Sequence, residues 1–128
     1  MITSPHQKYQ QTQLHTASPA QLLLMLYDGA IRFSRVGISA IQEKNYEKVN
    51  INLCKAQAVI HELIAALNYD YPIAKTLYQV YEYMIHQLIS ANMKKITRPA
   101  DEVVSYLLEL REAWDAANKS LNAATEQS

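Results

Sequence analysis

The 128-residue sequence predicts an all-α protein: an antiparallel up-down four-helix bundle preceded by an N-terminal arm. Three observations predict it. Glycine occurs only twice, at Gly29 and Gly37, too rarely for the turns of a β-sandwich or the phosphate loop of a dinucleotide fold. Apolar residues recur at alternating spacings of three and four, the signature of packed helices. Three short breaks divide that pattern into four segments of about 23 residues, about 34 Å each at the helical rise. Matched lengths joined by short connections make antiparallel neighbours. A chain of this length forms one domain whose core needs neither metal nor disulfide.

Residues 1–17 read as a flexible polar arm, 18–121 as the bundle and 122–128 as a frayed tail. Ser18 is an N-cap type, Pro19 fits the first helical position and Gln21 stands at N3, which together make a capping box. The first helix runs to Ile41, with a seam of Leu22, Leu26, Gly29, Phe33, Val36 and Ala40. Polar residues 42–45 end it, and Asn45 caps a second helix reaching Leu67, with Val49, Leu53, Ala56, Ile60, Leu63 and Leu67 inward. Pro72 makes the stretch from Asn68 a turn, because the residue before a proline is driven to extended geometry. The third helix runs from about Pro72 to Lys95, seamed by Leu77, Tyr81, Met84, Leu88 and Ala91. Lys94 and Lys95 complement the dipole at its end. Thr97-Arg98-Pro99 breaks the chain again. Asp101 and Glu102 then open a fourth helix seamed by Val103, Leu107, Leu110, Trp114, Ala117 and Leu121.

Two of these helices carry more apolar surface than one core absorbs. The fourth helix has Glu102, Glu109, Arg111, Glu112 and Asp115 off its seam, as a bundle helix should. The first helix instead has a second apolar stripe of Leu24, Tyr27, Ile31, Ser34, Ile38 and Ile41. The third adds Tyr78, Tyr83, Ile85 and Ile89 off its seam, with Glu82 its only charge between Thr76 and Met93. A helix apolar all round must be buried by something further: the arm, a second bundle, or another protein. Each fully buried Leu or Ile contributes roughly 1.5–3 kcal/mol, so four or five supply about 7–12 kcal/mol gross. Ordering a disordered partner takes about 2–5 kcal/mol of that. Nine tyrosines against one phenylalanine and one tryptophan suit a surface that alternates between wet and buried. Among them, Tyr9, Tyr27, Tyr78 and Tyr83 point to an interface; Tyr46, Tyr69, Tyr71 and Tyr106 read as bundle-edge residues.

Other function classes lack their residues. Twelve basic side chains balance twelve acidic ones with no basic cluster, which argues against nucleic acid and anionic membranes as partners. The longest apolar run, 22–27, is far below the roughly 20 residues of a membrane span. The polar N-terminus has no signal-peptide core, so the expected compartment is the cytoplasm. His61-Glu62 begins a zinc motif, but Ala65 stands where the second histidine belongs. Inward positions are apolar, so no di-metal site and no cofactor are expected. Lone Cys54 reads as a small packing residue. A histidine phosphotransfer bundle would use His61 or His86, yet neither is followed by Lys-Gly. A self-assembling structural or adaptor protein, its second stripes packing two bundles together, is the other alternative.

Three blocks carry a family resemblance. Tyr9-Gln10-Gln11, Thr16-Ala17-Ser18-Pro19 and the run from Leu22 through Tyr27-Asp28-Gly29-Ala30-Ile31 resemble the start of the FliS flagellar export chaperones. Leu77-Tyr78 with Tyr81, Tyr83, Leu88 and Ala91-Asn92 resembles the third helix of that family, and Leu107-Leu108, Leu110-Arg111 and Trp114 its last. Between the second and third helices, Tyr69-Asp70-Tyr71-Pro72 replaces a glycine-containing stretch often found in the family. The resemblance implies a non-enzymatic cytoplasmic chaperone that wraps the C-terminal segment of flagellin, blocks premature polymerisation and delivers the subunit to the cytoplasmic part of the export gate. It also implies that the arm covers part of the binding surface in the free protein. Joined to the surplus stripes, it makes Leu24, Tyr27, Ile31 and Ile38, with Tyr78, Ile85 and Ile89, the expected partner contacts, and Tyr9 the expected self-cover. The expected state is a monomer or weak homodimer.

Overall fold

The computed structural model describes residues 18–127, which form four helices: α1 Pro19–Gln42, α2 Tyr46–Ala65, α3 Ile73–Lys94 and α4 Arg98–Gln127. Each helix packs on its chain neighbours, and α4 returns to α1. That closes an up-down bundle in which α1 and α3 occupy opposite corners. Tyr9 and the rest of the expected arm lie outside the described residues.

Local chemistry sets the ends. Ser18 Oγ accepts the Gln21 backbone N–H at 3.2 Å while the Ser18 N–H donates to Gln21 Oε1 at 2.9 Å, the reciprocal pair of a capping box. Asn45 Oδ1 accepts from the Lys48 N–H at the start of α2. In the turn before Pro72, Asn68 Oδ1 accepts the Asp70 N–H at 3.0 Å, so an asparagine side chain closes the bend without glycine. Lys44 and Lys95 follow α1 and α3 in the left-handed region, at φ 58° and 56°. Their successors, Asn45 and Ile96, donate back to Ala40 and Ala91 carbonyls, the bond that closes such caps. α4 departs from expectation at both ends. It begins at Arg98, with Asp101 in its first turn, and runs on to Gln127 rather than fraying after Leu121. Proline is tolerated near a helix start, and Ala123, Ala124 and Gln127 are favourable helix formers.

The α3 seam is the predicted one, and so is that of α2 as far as Leu63; α2 stops at Ala65, and Leu67 lies beyond it, half-buried. Val49, Leu53, Ala56, Ile60 and Leu63 are buried from α2, and Leu77, Tyr81, Met84, Leu88 and Ala91 from α3. Along α4 the seam is buried at Val103 and Leu107, half-buried at Leu110 and Trp114, and exposed at Ala117 and Leu121. Cys54 is exposed, not packed inside, and its thiol donates to Asn50 Oδ1.

Candidate partner-binding surface

On α1 the core is built mainly from the second stripe, and Ala40 is the one residue of the expected seam that stays buried. The buried set is Tyr27, Ala30, Ile31, Ser34, Gly37, Ala40 and Ile41, while Leu22, Leu26, Gly29, Phe33 and Val36 are half-buried on the flank. Two causes are visible. Ala30, Ser34 and Gly37 give this stripe a low profile that lets α2 approach: a Cβ added at Gly37 would lie 2.4 Å from Leu53 Cδ2. The Tyr27 hydroxyl also finds partners inside, where it pairs with the Tyr81 hydroxyl and accepts from Trp114 Nε1 at 3.1 Å. A buried hydroxyl needs such partners, and here they come from two other helices, α3 and α4.

This corrects two expected contacts. Tyr27 is wholly buried and Ile31 is only 6% exposed, so both belong to the core and present no face to a partner. Leu24 and Ile38 are half-buried, Ile38 against the core cluster. Sequence periodicity missed Leu22, Leu26, Phe33 and Val36 as outward residues. The signal that identifies them is the small-residue series on the other stripe.

The surplus of α3 falls where the sequence predicts. Tyr78 and Ile85 are half-buried and Ile89 is 38% exposed. Tyr78 and Ile85 line a groove of about 370 Å³ with Ile64, Glu82 and the two histidines, His61 and His86. On the other side of α3, Val80 and Tyr83 line a wider groove of about 510 Å³ with Tyr106 and Leu110 of α4. The Tyr83 and Tyr106 rings meet there, tilted, with centroids 6.3 Å apart. The phenol groups of Tyr78 and Tyr83 are tied down. Tyr78 donates to Glu82, and Tyr83 donates to one oxygen of Glu102 while Gln87 donates to the other. Donating to a carboxylate raises the pKa of both Tyr78 and Tyr83 above the usual phenol value. Both rings therefore stay neutral and can stack or bury.

The flank of α1 has its own electrostatics. The Arg32 guanidinium lies 5.0 Å and the Lys55 ammonium 5.6 Å from the Phe33 ring centroid. Asp28 is held from α4 by Arg111, whose Nε and Nη2 both donate to it. Among the described residues no group of three or more His, Cys, Asp or Glu is placed to hold a metal ion, and no helix is long and apolar enough to cross a membrane.

A bundle with apolar flanks at opposite corners is now joined by a match along the chain. The sequence profile of the family described as flagellar protein FliS matches residues 2–121. The chain belongs to the FliS family. It is 39% identical to the flagellar secretion chaperone FliS of Bacillus subtilis, over 93% of this chain and 90% of that one. It is 35% identical to the Vibrio cholerae flagellar secretion chaperone FliS, over 81% and 78%. The flagellar secretion chaperone FliSB of Pseudomonas aeruginosa is 32% identical, over 84% and 90%. The FliS match spans both surplus helices.

Proposed function

We propose that this FliS-family chain is a cytoplasmic chaperone that captures the C-terminal segment of flagellin one-to-one and shields it from polymerisation until export. The observation that carries the reading is apolar surface left outside a closed bundle on α1 and α3. Filament growth buries amphipathic terminal helices of the subunit, and a chaperone must offer the same burial in a soluble complex, as helix-in-groove recognition does. Because α1 and α3 stand at opposite corners, a client touching both has to wrap, which suits a chain that is disordered when free and partly helical when bound. The contacts assigned to it are Leu24 and Ile38 beside the outer α1 stripe, with Tyr78, Ile85 and Ile89 on α3. The arm, with Tyr9, is assigned as the cover that a client displaces. Delivery to the cytoplasmic part of the export gate follows from the same role, and the chaperone acts as a monomer or weak homodimer.

Isothermal titration of the chain with a flagellin C-terminal segment tests this. One-to-one binding, micromolar or tighter, with a negative heat-capacity change marks the expected apolar burial. Ile89→Asp should weaken binding at least tenfold with unchanged circular dichroism, since Ile89 is exposed. The same change at Ile31 would put a carboxylate in the core and report only unfolding. No binding at millimolar segment removes the proposal.

A further inference from the structure

Gly29 is not explained by the packing of the bundle. Its φ is negative like that of its helical neighbours, and a Cβ built there would meet only Val59 Cγ2, at 3.9 Å, an ordinary van der Waals contact. Gly37 is the contrast, because Leu53 already fills the space its Cβ would take. Glycine is unfavourable in a helix interior, and at position 29 neither backbone conformation nor an internal neighbour requires it. Its missing side chain leaves a notch in the half-buried outer stripe between Leu26 and Phe33. Beside the notch, the Phe33 ring is flanked by Arg32 and Lys55. Neither cation has a carboxylate partner among the described residues, whose ion pairs are Arg111–Asp28 and Lys119–Asp115.

We propose that the Gly29 notch and the Phe33 platform form a docking site for an amphipathic helix with an acidic flank. The partner helix approaches α1 most closely at Gly29, where no Cβ holds it off. Its apolar side chains lie along Leu26, Phe33 and Val59, and its Asp or Glu residues neutralise Arg32 and Lys55. Apolar floor and cationic rim together select both the helix and its charge. The proposal rests on the flagellin reading only for the identity of the natural occupant, and deepens it by stating which part of the client docks on α1.

The test uses the full chain and two synthetic peptides sharing one leucine stripe, one flanked by glutamates and the other by lysines. At low salt the glutamate peptide should bind at least tenfold tighter and shift the amide resonances of Leu26, Gly29, Phe33 and Val59. Gly29→Ala should melt at a higher temperature than the parent yet bind the glutamate peptide about tenfold more weakly. Arg32→Glu with Lys55→Glu should invert the preference between peptides. Equal affinity for the two peptides, no binding of the glutamate peptide, or unchanged affinity in Gly29→Ala overturns the site. The flagellin segment, run alongside, separates the two proposals. If it binds the parent and Gly29→Ala equally, the client reading stands and this site is not part of it. If it fails to bind while the glutamate peptide behaves as described, the site stands and the client reading falls.

Discussion

Tyr27, Tyr81 and Trp114 tie three helices together through two side-chain hydrogen bonds, one buried in the core and one at its edge. Removing the Tyr27 hydroxyl strands two groups at once, the Tyr81 hydroxyl and the Trp114 indole N–H. The buried Tyr81 hydroxyl left without a partner costs about 1–3 kcal/mol, and the half-buried Trp114 N–H costs less. Tyr27→Phe should therefore destabilise by about 2 kcal/mol or more in urea unfolding. Tyr27→Phe with Tyr81→Phe should lose less than the two single changes summed, because the double change removes the stranded partner too. Additive losses would show that the hydroxyls do not interact. Ser34 gives the opposite prediction. Its hydroxyl is buried and has no hydrogen-bond partner among the described residues. Ser34→Ala deletes an unsatisfied group and improves helix propensity, so stability should rise by about 1 kcal/mol or more. A drop in melting temperature would mean that the hydroxyl is satisfied in solution.

At the scale of elements, the starts of α1, α2 and α3, the turns, the seams of α2 and α3 and the first half of the α4 seam were legible in the sequence; the start of α4 and the facing of α1 were not. Caps and prolines act through the few residues around them, so Ser18, Gln21, Asn45 and Pro72 mark their boundaries locally. The facing of α1 is decided by neighbours distant in sequence. Two stripes with the same heptad spacing compete, and Leu53 on α2, with Tyr81 and Trp114 on α3 and α4, chooses between them. The consequence can be measured at the two glycines. Gly37→Ala forces Leu53 to move and should cost about 1–3 kcal/mol, the range for overpacking a core. Gly29→Ala meets only an ordinary van der Waals contact with Val59 and should stabilise by about 0.5–1 kcal/mol. The helix ends are equally readable once the left-handed lysines are seen. Lys44→Gly should stabilise by about 1 kcal/mol, since a side-chain-bearing residue at that φ is strained. Lys95 is a worse target, because its ammonium donates to Asn92 and lies over the Tyr46 ring.

For the whole molecule, burial pushes the hydroxyls of Tyr81 and Tyr27 above the usual phenol pKa; nothing opposes it at Tyr81, whereas hydrogen bonds to Tyr81 and Trp114 pull Tyr27 part of the way back. A raised folded-state pKa means that the native state holds these protons more tightly than the unfolded chain. Their contribution is complete below about pH 10, the unfolded tyrosine value, and is lost as pH rises beyond it. Melting temperature should thus fall above about pH 10, and more shallowly when both residues are phenylalanine. The same interior pairing explains why the surface for a partner is where it is. A bundle that spends Tyr27 and Ile31 on its own core leaves Leu22, Leu26, Phe33 and Val36 only half-buried on the flank, Leu26 and Phe33 with one side against the core, while α3 keeps Tyr78 and Ile85 at a groove and Ile89 exposed. The reading of the chain as a wrapped chaperone depends on that outer ring. Hydrogen exchange of the chain, alone and with a flagellin C-terminal segment, tests it most directly. Slower exchange along the outer flank of α1 and on both sides of α3 is the predicted result. Protection confined to the segment itself, with α1 and α3 exchanging as in the free chain, would contradict it.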